Sequence, residues 1–319
     1  MLYPDPMVKW LVIGIGDITR KRVLPAIQAE PRSELYGLLT RDPAKAIPYP
    51  GIRVFTSLED ALGDPAIDAV YVASPVALHA PQTIASLHAG KHVLGEKPAA
   101  IDYAEAQAMQ VAAHASGRLW GVAYYRRLYP KLLRACHLIG EGAIGQPVLA
   151  EANCHSWLPI QERSWLWDPA LSGGGPLYDI ASHRIDAFNF LFGRPTRATG
   201  LLSNAVHQLP VEDSATVLID YAGGIRGVVD VRWNSHIERD QFRVIGTDGE
   251  IDLSPLNGPS LRHAGREELL EESLPAHANL HFPAVENFVT AVLDGAPLMC
   301  PGEEAIRTDW VTEEVMRRR

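Results

Sequence analysis

The sequence predicts an α/β protein in two parts, a doubly wound parallel sheet followed by an α+β domain with a largely antiparallel sheet. Up to about residue 121, apolar strand segments alternate with helical segments, as they do where each parallel strand needs a crossover helix. Beyond that point, turns such as Ala222-Gly223-Gly224 and Thr247-Asp248-Gly249 join strands without a helix between them, which favours antiparallel pairing. We therefore expect a first domain over residues 1–121 and a second over 122–319.

Six strand segments alternate with helices in the first domain. The strands are expected at 8–13, 35–39, 52–55, 68–73, 91–94 and 119–123. The helices are expected from the turn after the first strand to about residue 29, and then at about 42–47, 57–63, 79–89 and 102–116. This βαβ order is typical of the Rossmann dinucleotide-binding fold, whose ligands bind beyond the carboxyl ends of the strands.

Strand segments of the second domain are expected at 146–153, 197–208, 213–221, 225–233, 240–246 and 249–253, and helices at about 128–140, 282–294 and 301–317. The segments 214–219 and 227–231 place apolar residues on both faces of the sheet. One face can pack on the domain's own helices, whereas the other would be an exposed apolar patch too large for a monomer. We expect such sheets to pair face to face in a homodimer or a higher homo-oligomer.

Composition excludes several classes of partner. The 319 residues are 47% hydrophobic and 21% charged, as in soluble globular proteins. The net charge of −9 argues against nucleic acid or an anionic membrane as the main partner, because both need a basic face. No apolar run in the sequence reaches transmembrane length, and the N-terminus lacks the pattern of a signal peptide. The three cysteines have neither disulfide nor zinc spacing, which favours a reducing cytoplasm and no metal.

The turn after the first strand carries a nucleotide-binding pattern, Gly14-Ile15-Gly16-Asp17-Ile18-Thr19. Its glycines let the backbone turn tightly and approach a pyrophosphate at the positive end of a helix. Thr19 stands where the G-x-G-x-x-G pattern has its third glycine. An ordinary strand-to-helix turn is the alternative, but the alternation of strands and helices that follows favours nucleotide binding. The expected cofactor contacts here are Gly14, Gly16, Asp17 and Ile18.

The end of the second strand indicates which dinucleotide is bound. Thr40 and Arg41 occupy the place where an acidic residue usually holds a free ribose 2′-hydroxyl. A hydroxyl next to a guanidinium suits a 2′-phosphate, because arginine makes charge-assisted paired bonds to it. Asp42 could reach a ribose, but Asp42-Pro43 is better interpreted as the N-cap and first residue of a helix. The sequence thus predicts NADP as the cofactor, with NAD less favoured.

Two further strand ends carry polar motifs. Ser74-Pro75 ends the fourth strand, with His79 four residues on, and Gly95-Glu96-Lys97-Pro98 ends the fifth. Because the carboxyl ends of parallel strands meet at one edge, both motifs should face one cleft, where Lys97 can present its ammonium to cofactor or substrate. A solvated loop lysine and a solvent-exposed histidine at a helix start are the alternatives. The expected cofactor contacts here are Ser74, Pro75, His79, Glu96 and Lys97.

The second domain carries a carboxylate and an imidazole at helical spacing. Asp179 and His183 follow Gly173-Gly174-Gly175 and lie four residues apart, so on a helix they share a face one turn apart. A carboxylate beside an imidazole can orient the ring and raise its basicity, which general acid–base catalysis near pH 7 needs. Helix capping by Asp179 and a structural His183 are the alternatives. A metal site would need a third ligand, which the spacing of the other histidines does not supply.

Taken together, these motifs resemble the Gfo/Idh/MocA family of sugar and cyclitol oxidoreductases. The resemblance covers nearly the whole chain, and its most specific parts are the Glu96-Lys97-Pro98 and Gly173–Asp186 elements in this order and separation. It implies that Lys97, Asp179 and His183 are the catalytic and substrate-binding set. It also likens Thr40-Arg41 to the Ser-Arg dipeptide of NADP-using members.

The chain departs from the family pattern at three places. Thr19 replaces the third glycine or alanine of the nucleotide turn, and Ala181 stands where glycine is more frequent. Trp165-Leu166 stands where the family commonly has Trp-Arg, which removes a cation expected near the cofactor or substrate. Trp165 itself is still expected to contact the cofactor. None of these departures removes the lysine, aspartate or histidine.

The resemblance implies hydride transfer between the nicotinamide and a carbon of a sugar or polyol. His183, oriented by Asp179 or sharing substrate contact with it, would exchange a proton with the reacting oxygen. Lys97 would hydrogen-bond to that oxygen and stabilise charge on it, and which of the two transfers the proton stays open. Tyr125 and Arg126 are also expected at the substrate, within the run 124–127, half of which should face the core or solvent.

Two other functions stay open at this point. One is a cofactor-binding sensor or regulator without turnover, which the retained Lys97, Asp179 and His183 disfavour. The other is a glycosidase that uses bound NAD transiently, which would cause no net change in cofactor absorbance. The identity of the substrate and the physiological direction of the reaction are also open. Of three tryptophans that could stack on a sugar, Trp157, Trp165 and Trp167, two are expected to serve packing.

Overall fold

The computed structural model describes residues 6–266 and 268–317, which separate into two compact units. The first comprises the described residues of Met1–Tyr125 together with His277–Ile306, and the second those of Arg126–Ala276 together with Arg307–Arg319. The chain therefore returns to the first unit after it has formed most of the second. The expected division into domains 1–121 and 122–319 does not include this return. Within the described ranges, no helix is long and apolar enough to cross a membrane.

The first unit is built on a six-stranded sheet of order β3-β2-β1-β4-β5-β6. Its strands are β1 (Val8–Ile13), β2 (Ser33–Leu39), β3 (Arg53–Phe55), β4 (Ala69–Val72), β5 (His92–Gly95) and β6 (Trp120–Val122). All neighbouring strands pair in parallel. The order reverses between β1 and β4, which is the switch point where such sheets bind ligands. The predicted Rossmann sheet is confirmed.

The helices of the chain are α1 (Leu24–Ala29), α2 (Leu58–Leu62), α3 (His79–His88), α4 (Tyr103–Ser116), α5 (Pro130–Gly140), α6 (Pro169–Ser172), α7 (Ser182–Phe192), α8 (Phe282–Asp294) and α9 (Gly302–Met316). Helices cover both faces of the parallel sheet. Trp10 of β1 lies in one apolar cluster with residues of α1 and α8, and Leu11 lies in another with residues of α3 and α4. Adjacent strand residues point to opposite faces, so a strand buried on both sides is continuously apolar.

The second unit contains an eight-stranded sheet of order β14-β13-β12-β11-β7-β10-β9-β8. Its strands are β7 (Pro147–Trp157), β8 (Pro195–Ser203), β9 (Ser214–Tyr221), β10 (Arg226–Arg232), β11 (Asn234–Gly246), β12 (Glu250–Asp252), β13 (Ser260–Ala264) and β14 (Leu269–Ser273). The pairs are antiparallel except for β7 and β10, which run parallel. The predicted largely antiparallel sheet is confirmed.

The two faces of this sheet differ in chemistry. The buried face packs on α7, where the Phe188 ring lies 5.1 Å from that of Phe242 of β11. The outer face is mixed, because alternation in β9 and β10 places polar residues beside apolar ones. There the Asp230 carboxylate accepts hydrogen bonds from Thr216 (2.5 Å) and Arg232 (2.8 Å), while Leu218 is 41% exposed. The expectation that both faces are apolar is therefore wrong for the outer one.

Several strand limits differ from those expected. The hairpin of β13 and β14 was not expected, because its alternation is short and Leu261 and His263 are its only buried residues among those described. The strand expected at 197–208 ends at Ser203. The strand expected at 240–246 begins at Asn234, although its first half is largely exposed. The apolar pattern of a sequence does not reveal a strand that is held in its sheet mainly by backbone hydrogen bonds.

Candidate functional site

The turn after β1 has the geometry of a pyrophosphate site. Gly14 has a φ of +90°, and a Cβ atom there would lie 2.8 Å from the carbonyl oxygen of Ala73 at the end of β4, so only glycine fits. A Cβ atom on Gly16 would meet no described atom within 4 Å, which leaves open space beside the turn. Thr19 begins a π-helical segment, Thr19–Val23, and its hydroxyl donates to the Gly14 carbonyl (2.9 Å). The threonine thus closes the turn with its side chain.

The side chains of Asp17 and Ile18 lie at the surface of this turn. The Asp17 carboxylate accepts from Lys21 (2.6 Å) and Arg20 (3.2 Å). These hydrogen bonds, that of Lys21 above all, lower the pKa of Asp17. The carboxylate is therefore engaged within its own helical turn, which leaves the backbone as the part of Asp17 that would face a phosphate. Contact of both residues with the cofactor stays a prediction.

The end of β2 presents a hydroxyl and a cation. Thr40 is buried, and its hydroxyl donates to the Asp42 carbonyl (3.1 Å) and accepts from the Asp42 N–H (3.2 Å). Asp42 caps a 3₁₀ turn, Pro43–Ala46, by accepting from the Ala44 N–H (3.1 Å), so the capping role expected of Asp42 is confirmed. Arg41 is exposed and makes no hydrogen bond or ion pair with any described residue. Its guanidinium is available for an anionic ligand.

His79 joins the motifs that follow β4 and β5. Its ring nitrogens lie 2.9 Å from the carbonyl oxygens of Ser74 and Pro98. Burial lowers the pKa of His79, while the two hydrogen bonds oppose that shift. Since both nitrogens contact backbone oxygens, His79 holds two loops together and its ring has no nitrogen left for a cofactor. The Ser74 hydroxyl donates to the Gln82 side chain (2.7 Å). The side chains of Ser74 and His79 are therefore engaged within the protein. The cofactor contacts expected of Ser74, Pro75 and His79 would be made by the loop whose conformation these residues set.

The lysine motif lies directly after β5. Glu96 is buried, and its Oε1 accepts from the Tyr71 hydroxyl (2.9 Å) and from His281 Nε2 (3.0 Å). Lys97 is half-buried and is joined to Pro98 by a cis peptide bond. Tyr125 packs on the His281 ring with centroids 4.7 Å apart. The side chain of Glu96 therefore faces the interior of the first unit, and its predicted cofactor contact is untested.

The three glycines before Asp179 allow close packing at the start of a helix. The Glu212 carboxylate accepts from the N–H groups of Gly175 (2.8 Å) and Leu177 (3.1 Å), and a negative charge is favourable at a helix N-terminus. A Cβ atom on Gly175 would lie 2.0 Å from the Glu212 carbonyl oxygen, and one on Gly174 would lie 2.5 Å from the Tyr178 ring. The glycine run is thus required where the helix begins.

The helix that carries Asp179 and His183 is less regular than expected. Asp179 lies in a π-helical segment, Leu177–Ala181, whereas His183 is buried in the first turn of α7. Segments of this kind recur at functional sites. The Asp179 carboxylate bonds to the Arg163 guanidinium (3.1 and 3.5 Å). Arg163, which has a φ of +49° and lies 5.9 Å from the Trp165 ring centre, thus supplies a cation near Asp179.

Leu166 explains why the missing arginine of the family pattern does not leave a gap. Its side chain is buried in an apolar cluster with Trp167 and Trp233. Trp167 serves packing, while Trp157 and Trp165 are each 37% exposed. Trp157 stacks on His236 with ring centroids 4.1 Å apart. Trp157 therefore packs on a neighbouring ring although it is partly exposed, and stacking of any of the three tryptophans on a sugar stays a prediction.

Two ion pairs hold α7 in place. Arg127 is fully buried and donates to the Asp186 carboxylate (2.6 and 2.9 Å), and Arg184 donates to Asp240 (2.9 Å). Arg126, expected at the substrate, is 7% exposed and donates to Asn257 (2.9 Å). Within the run 124–127, Tyr124, Arg126 and Arg127 are all buried, which is more than the expected half of that run, and contact of Tyr125 and Arg126 with a substrate stays a prediction.

Sequence reasoning missed Arg163, Glu212 and His281. Each contacts a motif residue from a distant part of the chain or from an irregular loop, and neither pattern nor spacing connects them. The missing cation at position 166 was a signal that another arginine should be sought nearby. In the described residues, no group of three or more histidine, cysteine, aspartate or glutamate side chains could hold a metal ion.

Comparison with known proteins matches both parts of the chain to models of one family. Residues 8–124 match an oxidoreductase family with an NAD-binding Rossmann fold, and residues 132–252 match the GFO/IDH/MocA C-terminal domain. The chain is 30% identical over 313 residues to 1,5-anhydro-D-fructose reductase of Ensifer adhaerens, covering 94% of this chain and 92% of that protein. It is 30% identical over 292 residues to scyllo-inositol 2-dehydrogenase (NADP(+)) of Bacillus subtilis, covering 84% of this chain and 81% of that protein.

A solved structure has a similar fold. Levoglucosan dehydrogenase in complex with NADH and levoglucosan matches with a TM-score of 0.89 at 22% identity, over 97% of this chain and 96% of that chain. The matched models span most of the chain, and the Ensifer relative matches along nearly all of it. The chain therefore belongs to the Gfo/Idh/MocA family of oxidoreductases, as its motifs indicated.

Proposed function

We propose that the chain is an NADP(H)-dependent oxidoreductase that interconverts a hydroxyl and a carbonyl on a sugar, a polyol or a cyclitol. The observation that carries this proposal is Lys97 at the carboxyl end of β5, in a sheet whose switch-point turn has the glycine geometry of a pyrophosphate site. The relatives named above act on an anhydrosugar and an inositol, which supports this substrate class.

The preference for NADP(H) rests on the end of β2. Arg41 is exposed there and makes no ion pair in the described ranges, while the Asp42 carboxylate caps a helical turn. A 2′-phosphate would gain charge-assisted hydrogen bonds from Arg41, while the Thr40 hydroxyl, bonded to the Asp42 backbone, holds the turn that presents Arg41. A free 2′-hydroxyl would find the nearest carboxylate already engaged. The Bacillus subtilis relative is named for NADP(+), which agrees with this preference.

The cofactor preference is tested with Arg41→Ala. Hydrogen bonds to a charged group contribute about 1.5–3 kcal/mol, so NADP(H) should bind about 10- to 100-fold more weakly and NAD(H) nearly as before. Lys45→Ala, which removes an exposed cation from the adjacent turn, is the control and should change neither affinity. Fluorescence titration with both reduced cofactors measures this. An equal loss for both cofactors, or tighter binding of NAD(H) by the native chain, contradicts the assignment.

The chemistry proposed for the chain concerns the proton and the charge on the substrate oxygen. When bound, the nicotinamide ring supplies or accepts the hydride. His183 takes up or releases the hydroxyl proton, and Asp179, itself bonded to Arg163, holds substrate or orients His183. Lys97 donates a hydrogen bond to the same oxygen and stabilises the negative charge that develops on it. Single and double variants of Lys97 and His183 test whether the two residues act on the same oxygen.

Lys97→Ala and His183→Ala test this assignment. Each should lower kcat by orders of magnitude while NADP(H) affinity changes little. Their joint loss should be much smaller than the product of the single losses, because both act on one oxygen. Lys45→Ala and His88→Ala, at exposed positions of the first unit, are controls. Independent losses, or turnover retained in Lys97→Ala, would overturn the catalytic proposal and leave the fold assignment standing.

Substrate identity is approached by screening sugars, inositols and dihydrodiols for a change in the near-ultraviolet absorbance of NADP(H). A net change identifies an oxidoreductase substrate. A glycosidase with a transient redox step would release product without such a change, and a sensor would bind the cofactor and turn over nothing. The three outcomes separate the proposed function from both alternatives.

Assembly as a homodimer and location in the cytoplasm are also proposals. Leu218 of β9 and Leu201 of β8 are 41% and 81% exposed. They support pairing of two chains through the outer face of the second sheet, which carries both apolar and polar side chains. A monomeric mass at micromolar concentration would contradict a dimer. The three free thiols are consistent with a reducing compartment, which fractionation of the producing cells would test.

A further inference from the structure

The residue before Lys97 is held by a buried network. Oε1 of Glu96 accepts hydrogen bonds from the Tyr71 hydroxyl (2.9 Å) and from His281 Nε2 (3.0 Å). Its other oxygen, Oε2, accepts from the backbone N–H of Lys97 itself at 3.4 Å. Tyr71 is 0%, Glu96 8% and His281 1% exposed. A carboxylate anchored at one oxygen therefore also reaches the backbone of Lys97 with the other, through a long hydrogen bond.

The residue after Lys97 is held as well. The carbonyl oxygen of Pro98 lies 2.9 Å from Nδ1 of buried His79, whose Nε2 contacts the end of β4. Two buried histidines thus hold the residues on either side of Lys97. His281 contacts Glu96 before it, and His79 contacts Pro98 after it. Its backbone position is determined by groups that come from β4, α3 and the segment before α8.

The Glu96–His281 contact is an ionic hydrogen bond. A carboxylate oxygen can only accept, so Nε2 of His281 carries the proton. Burial by itself would raise the pKa of Glu96, but the charge and hydrogen bond of His281, with smaller contributions from Tyr71 and Lys97, hold it below its ordinary value. The carboxylate is therefore ionised at neutral pH. A charged, doubly anchored group is stiff, because moving it would leave a buried charge without its partners.

His281 is itself fixed to the nucleotide-binding turn. Its backbone N–H donates to the Asn279 side chain (3.1 Å), and the same side chain donates to the carbonyl oxygen of Arg22 (2.8 Å), in the π-helical segment that follows the glycine turn. The Tyr125 ring packs against the imidazole, with ring centroids 4.7 Å apart. A continuous path of hydrogen bonds thus joins the segment behind the glycine turn, through His281 and Glu96, to Lys97.

We propose that His281 is a positioning residue for Lys97, which it acts on through the carboxylate of Glu96 and which it ties to the nucleotide-binding turn. This inference rests on the proposed role of Lys97. His281 touches neither the reacting atoms nor the Lys97 side chain in this proposal. It sets where the lysine backbone lies, so that the ammonium acts at the right distance from the substrate oxygen.

The test compares two amides at position 281. Nδ1 of His281 has no hydrogen-bond partner among the described residues, so the Nε2 donor is its only side-chain hydrogen bond to replace. In His281→Gln the amide N–H₂ reaches the place of Nε2, whereas in His281→Asn it is too short to reach Glu96. His281→Asn should lower kcat by roughly 10- to 100-fold, the effect of misplacing a catalytic group by about 1 Å.

In that experiment, the KM of the substrate and the Kd of NADP(H) should stay within about twofold of the native values, because the hydrogen bond from Lys97 strengthens mainly as negative charge develops on the substrate oxygen. His281→Gln should recover most of kcat. Tyr71→Phe, which removes the second donor to Glu96, should give a smaller loss. In the Lys97→Ala background, His281→Asn should cause no further decrease in kcat, since the histidine acts only through the lysine.

The outcomes separate the inference from the proposed function. If Lys97→Ala keeps its turnover, the proposed catalytic role and this inference both fail. If Lys97→Ala is inactive but the Gln and Asn variants at 281 are equally active or equally impaired, the role of Lys97 stands and the positioning role of His281 is overturned. The same holds if His281→Asn lowers the residual rate of Lys97→Ala. Should His281→Asn not fold, Tyr71→Phe and His281→Gln decide, and native kcat in Tyr71→Phe would reject the network.

Discussion

The buried ion pair of Arg127 and Asp186 offers a direct test of the energetics of the second unit. Arg127 donates from Nη2 to Oδ1 (2.6 Å) and from Nε to Oδ2 (2.9 Å) of Asp186, and the side chains are 0% and 1% exposed. Two unit charges at about 4 Å attract by about 4 kcal/mol at an effective dielectric constant of about 20. Removing one partner takes away this attraction while the other charge stays buried, which costs about 3–5 kcal/mol.

We expect Arg127→Met and Asp186→Asn each to lower the free energy of unfolding by about 3–5 kcal/mol. The matched control is Arg226→Met, which breaks a pair of the same chemistry with Asp220 (2.9 Å) where the side chains are 60% and 34% exposed. Exposed pairs contribute about 0–1 kcal/mol, so the control should stay close to the native chain. Urea unfolding of the full chain, followed by tryptophan fluorescence and circular dichroism, measures all three variants.

The double variant Arg127→Met/Asp186→Leu separates charge from packing. It leaves neither of the two charges buried, so its loss of stability should be clearly smaller than the sum of the single losses. A single variant that loses less than about 1 kcal/mol, or a double variant whose loss equals the sum, would refute the reasoning that the pair is desolvated and mutually compensating.

Two other predictions follow from the backbone and from a buried lysine. Gly14→Ala should lower the melting temperature, because its Cβ would lie 2.8 Å from a backbone oxygen at a φ of +90°, whereas Gly16→Ala, with no described atom within 4 Å, should not. Lys131 is 1% exposed and donates to two backbone carbonyl groups (2.6 Å each), so Lys131→Met should cost about 1–3 kcal/mol. Burial lowers the pKa of Lys131 from 10.5 to about 8, so the unfolded chain binds more protons between these values. The stability of the native chain relative to Lys131→Met should therefore rise with pH across that interval, by up to about 3 kcal/mol, and urea unfolding that shows no such change would contradict the lowered pKa.

Features that depend on a few neighbouring residues could be predicted from the sequence. The parallel strands follow from apolar runs, and the ends of β2 and β5 follow from Thr40-Arg41 and Glu96-Lys97-Pro98, which interrupt those runs. The capping role of Asp42 follows from the proline after it. In each case the residues that give the sequence signal lie within four or five positions of the backbone angle or unsatisfied N–H group that is its physical cause.

Features that depend on distant partners could not be predicted. The contact of Glu96 with His281 joins residues 185 positions apart, and no periodicity connects them. The π-helical segment that carries Asp179 differs from an α-helix in its hydrogen bonds and not in its apolar pattern. The outer face of the second sheet carries Val228 and Leu218 beside Asp230 and Thr216, and the hydrogen bond between the last two side chains, which makes this face mixed, is not visible in the apolar pattern of the strands.

The return of residues 277–306 to the first unit affects how the chain folds during synthesis. Phe288 of α8 packs on Trp10 of β1 with ring centroids 5.4 Å apart, and Asp294 pairs with Arg32, so one face of the parallel sheet is covered only in part, by α1, until α8 has been made. About 150 residues intervene, and at about 5–20 residues per second a ribosome needs roughly 10–30 s for them. In that interval we expect the nascent sheet to expose apolar surface of the kind that chaperones bind. A chain stalled before residue 277 should be cut by proteases at sites that the finished protein protects.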